Sequence, residues 1–190
     1  MTAPTTSAGF DAAYRAPLTV WGDYRTPREV KDLAAAHPGA MVLELGCGLG
    51  RYTQYMAQHG LVATGVDFSP VAIERAQSGA DKKGTWANFL VADVTRLDVP
   101  GAPFDVAFDV GCFHCLDAEA QRNYVSSVTR TLKPGARLLL WAMRTGPSGL
   151  SMSPDVLKPT FSPHFQMIKA VERRRRFAAS WWIWFRNNDA

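Results

Sequence analysis

The stretch Leu43-Glu-Leu-Gly-Cys-Gly-Leu-Gly50 decides the fold, because it joins the end of one apolar run to the start of a helical pattern. The run Met41–Leu45 has the length of a buried strand. Alternate glycines let the backbone come close to a ligand, and the helix that follows presents free N–H groups at its N-terminus. The stretch therefore predicts a strand, a ligand-binding loop and a helix in succession.

The spacing of these glycines narrows the kind of ligand. A dinucleotide-binding fingerprint has the spacing G-x-G-x-x-G, whereas this loop has G-x-G-x-G and places Arg51 where the third glycine should stand. Glu44 precedes the first glycine by two residues. Because a carboxylate repels a diphosphate and attracts an ammonium or sulfonium, the loop favours a zwitterionic, partly cationic ligand.

On both sides of this loop, apolar runs alternate with helix-length segments. Such strands, without polar alternation, are typical of a parallel sheet covered on both faces, and right-handed crossovers then limit the topology to a doubly wound α/β fold. After residue 144 two more strands, about 164–174 and 177–185, follow without a helix between them, so we expect an antiparallel pair. The first five strands are expected at Met41–Leu45, Leu61–Phe68, Phe89–Val94, Phe104–Val110 and Arg137–Met143.

The N-terminal residues do not follow this alternation of strands and helices. The first twenty lack clear periodicity, so we interpret 1–25 as a mobile or partly ordered arm and 26–190 as a single domain. Thr26-Pro-Arg-Glu29 predicts a capping box that opens the first helix of the domain. Lys133-Pro-Gly135 predicts the end of the helix that precedes the fifth strand.

Composition and charge exclude several classes of protein. The chain has 190 residues, of which 47% are hydrophobic, and a formal charge of +4, which fits one packed domain. Five Arg and two acidic residues between Glu172 and Ala190 supply +3 of that charge. The rest of the chain has almost no net charge, which argues against nucleic-acid binding driven by positive charge over the whole protein surface.

Membrane insertion and secretion are not expected. No apolar run approaches the roughly 18–20 residues needed to span a bilayer, and the first ten residues lack the basic start and apolar centre of a signal peptide. Three cysteines, Cys47, Cys112 and Cys115, cannot form a fully paired set of disulfides. This count indicates a reducing, cytoplasmic environment.

Acidic residues stand at successive strand ends. Asp67 ends the second predicted strand, Asp93 the third and Asp109 the fourth, and ligands of open parallel sheets bind along that carboxyl edge. Asp67 can accept both hydroxyls of a ribose. Asp93 can accept from an adenine amino group while the N–H of Val94 donates to the ring. Together with Glu44, these positions predict a nucleoside site beside the glycine loop.

Three motifs resemble those of class I S-adenosylmethionine-dependent methyltransferases: Glu44–Gly50, Gly65-Val-Asp-Phe-Ser-Pro70 and Ala92-Asp-Val94. The resemblance covers about residues 26–145. It implies a Rossmann-like, mostly parallel seven-stranded sheet of order 3-2-1-4-5-7-6, with an antiparallel C-terminal hairpin and S-adenosylmethionine as cofactor. It also implies site roles: Gly46, Gly48 and Gly50 cradling the methionine part, Glu44 near its amino group, Asp67 on the ribose, Phe68 on the adenine face, and Asp93 and Val94 at the adenine edge.

A narrower resemblance is carried by Phe104–His114 and Arg122-Asn-Tyr124, which are similar to the thiopurine-methyltransferase and tellurite-resistance type of small-molecule methyltransferase. Trp21-Gly-Asp-Tyr-Arg25 is similar in place to the N-terminal segment that closes over the cofactor in such proteins. The resemblance implies that residues 1–25 form a lid. It also implies a small acceptor with a nitrogen, sulfur or oxygen nucleophile.

His114 and Asp109 are the candidate catalytic residues. His114 follows the fourth strand, where the acceptor should lie, and an unperturbed pKa of about 6.5 suits a general base; alternatively it hydrogen-bonds loop backbone. Asp109 is expected to orient the cofactor or the loop rather than to abstract a proton. Arg144 either holds an anionic acceptor or pairs at the surface, and Trp21 and Tyr24 either line the acceptor pocket or pack in the core. We expect no metal.

Two other classes of function stay open. Cys112-Phe-His-Cys115 is a C-x-x-C pair that could support disulfide exchange, although it leaves the glycine loop unexplained and lacks a second pair for a closed zinc site. Arg173–Arg176, followed by Trp181–Phe185, resembles a basic and aromatic nucleic-acid surface. Since alternate strand residues face opposite ways, this arginine run favours a solvated turn. We therefore favour a small-molecule partner over nucleic acid or membrane, in a monomer or homodimer.

Overall fold

A computed structural model of the chain describes residues 6–16, 25–147, 149–175 and 178–188. Trp21 and Tyr24, the two candidate acceptor residues of the arm, lie outside the described residues. Helices and strands alternate from β1 to β5, as the sequence pattern predicts. The elements are α1 Ser7–Arg15, α2 Arg28–Ala36, β1 Met41–Leu45, α3 Arg51–Gln58, β2 Val62–Asp67, α4 Pro70–Asp81, β3 Asn88–Val91, β4 Phe104–Val110, α5 Ala118–Thr131, β5 Leu132–Met143, α6 Pro154–Phe161, β6 Phe165–Arg175 and β7 Ala178–Asn187.

The strands form one seven-stranded sheet of order β3-β2-β1-β4-β5-β7-β6, which confirms the predicted topology. Strands β1 to β5 pair in parallel, and β7 runs antiparallel to both β5 and β6. Glu44 of β1 lies between Gly65 of β2 and Phe108 of β4. The strand order reverses at β1 and β4, so their carboxyl ends form the crevice where ligands of such sheets bind.

Both faces of the sheet are covered, which explains why its central strands are apolar without alternation. Val42 and Phe108 pack on one face in a buried cluster that α2 and α3 complete. Leu43 and Leu138 pack on the other face with Tyr124 of α5 and with residues of α6. Within the part of the chain that the structure describes, no helix combines the length and apolarity required to cross a membrane.

The N-terminal arm contains a helix that the sequence analysis did not predict. The side chain of Thr6 caps α1 by accepting a hydrogen bond from the N–H of Gly9 at 3.2 Å. Phe10 and Tyr14 lie one turn apart and therefore on the same face of this helix. Because only two large apolar residues define that face, α1 has a weak periodicity in the sequence.

Three predicted boundaries were wrong. Strand β3 ends at Val91 rather than at Val94, and the starts of α2 and β5 differ for local reasons. Helix α2 begins at Arg28 with Pro27 as its capping residue and no side-chain cap, so Thr26 forms no capping box. Strand β5 begins at Leu132, directly after α5, and includes the Lys133-Pro-Gly135 segment that was expected to separate them. The side-chain amide of Asn187 donates to the carbonyls of Leu132 and Lys133, at 3.3 and 3.2 Å. A side chain of β7 thus bonds the backbone where β5 begins.

The arginine run lies at the end of the β6–β7 hairpin and is partly neutralised by other side chains. Arg173 pairs with Glu29 of α2 at 3.2 Å, and Arg174 pairs with Glu172 at 3.6 Å. Trp182 is buried in the core cluster beneath α2. These contacts agree with the expectation that the arginines lie at a solvated turn. The burial of Trp182 agrees with an aromatic residue that covers the sheet.

Candidate cofactor and acceptor site

A cavity of about 120 Å³ lies at the carboxyl edge of the sheet, where the strand order reverses. Five of the residues predicted to bind the cofactor line it: Gly46, Asp67, Phe68, Asp93 and Val94. Its other walls come from α1, from the end of β3 and from the loop after β4, namely Phe10, Tyr14, Ala92, Gly111, Cys112, Cys115 and Leu116.

Asp67 joins the end of β2 to the glycine loop. One carboxylate oxygen accepts from the N–H of Gly48 at 2.9 Å, and the other accepts from the N–H of Ser69 at 3.0 Å. Burial raises the pKa of Asp67, while these two bonds act in the opposite direction. The N–H of Phe68 also interacts with this carboxylate, and of its about four acceptor positions at least one stays open to a ribose hydroxyl.

Gly46 and Gly48 meet different neighbours. Both have a left-handed backbone, with φ of +68° and +52°. A β-carbon on Gly46 would lie 2.4 Å from Cβ of Cys112, and one on Gly48 would lie 2.9 Å from the hydroxyl of Tyr14. Gly46 lines the cavity, so its missing side chain leaves room there for both a ligand and the loop after β4.

Gly50 is not brought to the cavity. It precedes α3 with φ of +68°, and a β-carbon there would lie 2.4 Å from the ring of Phe89 and 2.9 Å from Cβ of Ala76. The third glycine of the motif is therefore required by packing between the loop, β3 and α4. Its predicted contact with the cofactor stays a prediction.

Glu44 lies beneath the glycine loop and does not line the cavity. Its side chain accepts a hydrogen bond from the hydroxyl of Thr53 in α3. Burial, followed by smaller effects of the nearby carboxylates Asp109 and Asp67, raises the pKa of Glu44 to about 8, although the bond from Thr53 opposes this shift. Glu44 is thus a largely neutral acid at neutral pH that ties β1 to α3.

Replacing Glu44 with glutamine is expected to flatten the pH dependence of stability. The folded-state pKa of about 8 exceeds the ordinary value of 4.5, so the folded state holds the proton more tightly. The contribution of Glu44 to the free energy of unfolding is full at acid pH and is lost as pH rises from about 5 to about 8. Urea unfolding at several pH values should show this slope in the wild type and not in Glu44→Gln. Glu74→Gln, which removes an exposed carboxylate of α4, is the control, and an unchanged slope in Glu44→Gln would contradict the assignment.

Asp109 orients the loop after β4, which is one of the two roles that the sequence left open. Its carboxylate accepts from the N–H groups of Gly111, Cys112 and Phe113 at 2.8–3.0 Å and from the hydroxyl of Tyr124 at 3.0 Å. Burial raises its pKa to about 6 against the effect of these bonds. The side chain is completely buried and does not line the cavity, so its oxygens act on the loop.

His114 differs from the expected general base. Its side chain is buried, its Nδ1 accepts from the N–H of Met143 at 3.3 Å, and its ring lies edge-on to Trp141. Burial lowers its pKa from the ordinary value near 6.5 to about 4, and its use as a general base stays a prediction. A ring with such a pKa is neutral at neutral pH and a weak proton acceptor.

Phe68 and Asp93 stand on the side of the cavity predicted for adenine. Phe68 is 37% exposed and contacts Phe10 of α1 edge-on, with 5.2 Å between ring centres. One oxygen of Asp93 accepts from the N–H and the hydroxyl of Thr95, and the other pairs with Arg96 at 3.2 Å. An exposed aromatic face beside a carboxylate suits an adenine with an exocyclic amino group.

Arg144 follows β5 at the same edge of the sheet. Its N–H donates to the carbonyl of Ala179 at 2.9 Å and its side chain is exposed. The structure thus places the guanidinium at the surface, and its predicted contact with an anionic acceptor stays a prediction.

The cysteines around the cavity are free thiols with raised pKa values. Cys47 is buried, and Cys112 and Cys115 are partly buried. Burial is the main reason why the pKa of Cys112 is well above its usual value and that of Cys115 is raised to about 11. Because thiolates are the reactive form in disulfide exchange, these environments disfavour the redox alternative. No group of three side chains suited to hold a metal ion is found among the described residues.

Helix α1 supplies functional positions that the sequence analysis missed. Phe10 and Tyr14 line the cavity. Ser69 donates to the carboxylate of Asp11, and Arg75 donates to the carbonyl of Tyr14, so α1 is fixed to the first turns of α4. Two aromatic residues four positions apart, behind a threonine cap, were the signal in the sequence that could have identified them.

The comparisons with known proteins agree with this geometry. A sequence profile for a methyltransferase domain matches residues 42–135. The chain is 33% identical over 100 residues, 52% of its length and 44% of the relative's, to 2-heptyl-1-hydroxyquinolin-4(1H)-one methyltransferase of Mycobacteroides abscessus. It is 30% identical to the uncharacterized methyltransferase C750.03c of Schizosaccharomyces pombe, over 53% of this chain and 70% of that protein. Overall it spans about half the length of the first curated relatives that it matches.

The fold has a close match among solved structures. A TehB-like S-adenosylmethionine-dependent methyltransferase of Corynebacterium glutamicum superposes with a TM-score of 0.74 at 20% identity, covering 96% of this chain and 98% of that one. At this identity the likeness concerns the fold alone.

The glycine loop, the acid at the end of β2 and the reversed strand order define a nucleoside-binding protein of the doubly wound class. Together with the matches in sequence, they show that the chain belongs to the class I S-adenosylmethionine-dependent methyltransferases.

Proposed function

We propose that the protein transfers the methyl group of S-adenosylmethionine to a nitrogen, sulfur or oxygen atom of a small molecule by in-line displacement. The observation that carries this proposal is the position of Asp67, whose carboxylate fixes Gly48 and faces the cavity beside Phe68. A ribose hydroxyl acceptor, an aromatic face and a glycine loop thus meet in one cavity. The adjoining acid Asp93 completes a set that fits an adenosine.

The bound cofactor would supply an activated methyl group, so the protein has mainly to position the reactants and exclude water. Asp67 and Phe68 would fix the adenosine, and the loop held by Asp109 would form the wall next to the reacting atoms. Orientation of this kind supplies up to roughly 7–11 kcal/mol in favourable systems. This chain therefore needs no strong catalytic acid or base if the acceptor arrives with a free electron pair.

Helix α1 would act as a lid over this site. The cavity beneath it has a volume of about 120 Å³, well below the roughly 300 Å³ at which ordinary ligand pockets begin. Phe10 and Tyr14 line this cavity, so α1 forms part of its wall. We therefore propose that α1 moves away from α4 to admit the cofactor and returns over it.

Two observations favour a small acceptor: the residues that line the cavity and the name of one relative in sequence. The loop after β4 contributes short or apolar residues to the cavity wall, Gly111, Cys115 and Leu116. The relative from Mycobacteroides abscessus is named for the methylation of a hydroxyquinolone. Three free thiols support a cytoplasmic location, and a monomer and a homodimer are both compatible with the proposal.

The proposal predicts that the purified protein binds S-adenosylmethionine and S-adenosylhomocysteine, because the residues that hold the adenosine are the same for both. Isothermal titration measures both affinities. A screen of thiols, heteroaromatic amines and phenols, followed by the formation of S-adenosylhomocysteine, then identifies the acceptor class. If the folded protein binds neither S-adenosylmethionine nor S-adenosylhomocysteine, the proposal is overturned.

A further inference from the structure

Two arginines lie directly opposite each other where the C-terminal hairpin joins the parallel part of the sheet. Arg137 of β5 is in register with Arg186 of β7. Side chains opposite each other on antiparallel strands lie on the same face, with β-carbons about 4.5–5.5 Å apart. Within the described residues, neither guanidinium has an ion-pair partner. Because like charges in this position destabilise a sheet, the pair opposes folding unless an anion lies beside it.

The side chain of Arg186 extends towards β5. A β-carbon on Gly135 would lie 3.8 Å from both Nε and Nη2 of Arg186, so this guanidinium lies against the start of β5, next to the turn of chain that leads to Arg137. The pairing of β5 with β4 shifts in register between Leu132 and Arg137, and Gly135 has φ of +75°. A glycine in this irregular segment thus leaves room for the arginine group above the backbone.

The neighbouring strand adds two hydrogen-bond donors to the same face. Gln166 of β6 lies opposite Arg186, and Lys169 of β6 lies opposite Trp184. Because Trp184 and Arg186 are two residues apart on β7, their side chains share a face of the sheet. The Nζ of Lys169 lies 5.0 Å from the centre of the Trp184 ring, a cation–π contact that positions the ammonium group. Both Lys169 and Arg186 are exposed.

The acid on the neighbouring strand is already used. Asp105 of β4 accepts from Nζ of Lys133 at 2.7 Å and from the N–H of Met41 at 2.9 Å, and the bond from Lys133 is the main reason why its pKa is lowered. His37, after α2, does not neutralise the arginines either. Burial, followed by the charge of Arg137, lowers the pKa of His37. The positive charge of the arginine pair is therefore uncompensated.

The charge is concentrated at this end of the hairpin. At the other end Arg173 pairs with Glu29 and Arg174 pairs with Glu172. A nucleic-acid strand needs cations spread along several phosphates, whereas two guanidinium groups and one ammonium group lie here in two adjacent rows of side chains. Such a cluster suits one compact anion. A phosphate group carries about −1.5 to −2 charge at pH 7, and its oxygens match the paired donors of arginine.

We propose that Arg137, Arg186 and Lys169 form a binding site for the phosphate group of a small ligand. The site lies on the face of the sheet to which α2 also packs. The two guanidinium groups and the ammonium group bind phosphate oxygens, and the side-chain amide of Gln166 donates a further hydrogen bond.

This site is separate from the cavity of the cofactor. Val106 of β4 lies beside Arg137, and Gly111, five residues further along the chain, lines the cavity. At about 3.3 Å for each residue of a strand, the two places are about 17 Å apart. A phosphate bound here does not compete with the cofactor, so the inference does not rest on the proposed function.

Isothermal titration with inorganic pyrophosphate tests the site, at a low ionic strength held constant with chloride. For the wild type we expect a dissociation constant of about 1 mM or tighter, and binding about tenfold to a hundredfold weaker in Arg137→Gln and in Arg186→Gln. Arg130→Gln removes the same charge from the exposed side of α5 and should leave the affinity within about twofold. No binding by the wild type, or an equal loss in all three variants, would overturn the proposal.

Thermal unfolding separates binding from folding. Without ligand, the loss of one of two opposed charges in Arg186→Gln should raise the midpoint by about 1–3 °C. Pyrophosphate should raise the midpoint of the wild type and leave that of Arg186→Gln unchanged. A lower midpoint for the unliganded variant would show that Arg186 serves the fold instead, and the proposal would fail.

Further probes identify the source of the phosphate group and exclude other sites. Tighter binding of glycerol 3-phosphate or phenyl phosphate than of inorganic phosphate indicates an organic phosphate, and equal affinity indicates the free ion. Saturation with S-adenosylhomocysteine should leave the affinity for pyrophosphate unchanged, and competition between the two would place pyrophosphate at the glycine loop and overturn the proposal. Single-stranded oligonucleotides whose affinity rises with length to more than tenfold above that of pyrophosphate would also overturn it. If no S-adenosylhomocysteine binds, the proposed function fails, and the arginine variants still decide this site.

Discussion

Replacing Asp67 with alanine is expected to weaken the binding of S-adenosylmethionine by about tenfold to a hundredfold. The carboxylate keeps an acceptor position open to a ribose hydroxyl, in addition to its bonds from Gly48 and Ser69 and its interaction with the N–H of Phe68. A hydrogen bond to a charged group contributes about 1.5–3 kcal/mol, which corresponds to about tenfold to a hundredfold in affinity. Isothermal titration of the wild type and of Asp67→Ala measures this loss.

The controls for this experiment distinguish the loss of a direct contact with the cofactor from a change in net charge or in folding. Asp98→Ala removes the same charge from an exposed position that does not line the cavity and should leave the affinity within about twofold. Because Asp67 also holds the glycine loop, thermal unfolding of each variant must accompany the titration. A folded Asp67→Ala protein that binds within threefold of the wild type would refute the assignment of Asp67 to the ribose.

The fold was predictable because its signals are local and repeated. Strands β1, β2 and β4 are apolar runs bounded by glycine, proline or a capping residue, so much of the order of elements follows from the sequence alone. The exception was α1, whose stability comes from contacts with α4 that are far away in the chain, such as that between Asp11 and Ser69. A short helix that is stabilised by contacts with distant residues shows only a weak hydrophobic periodicity in the sequence.

The site was predictable in its cofactor half and not in its acceptor half. Asp67 and Asp93 could be placed because strand ends share one edge of a parallel sheet, and both line the cavity. The protonation state of His114 could not be predicted, because it depends on burial and on the N–H of Met143, which lies 29 residues further along the chain. Position along a strand follows from sequence, whereas the pKa of a buried group follows from packing in three dimensions.

Replacing Gly50 with alanine is expected to lower the free energy of unfolding by about 3 kcal/mol. Two costs combine there. A φ of +68° costs a residue with a β-carbon about 1 kcal/mol, and forcing that carbon against Phe89 and Ala76 costs about 1–3 kcal/mol more. For a chain of this length the midpoint of thermal unfolding should fall by about 6–12 °C.

Gly60→Ala isolates the contribution of packing. Gly60 has φ of +83°, but a β-carbon there would meet nothing within 4 Å, so only the conformational cost remains and the midpoint should fall by about 2–4 °C. The difference between the two variants measures the contact of the loop with β3 and α4. Calorimetry that gives equal midpoints for Gly50→Ala and Gly60→Ala would show that the third glycine is required for its backbone conformation alone. Such a result would return Gly50 to the ligand-binding role that the sequence motif implies.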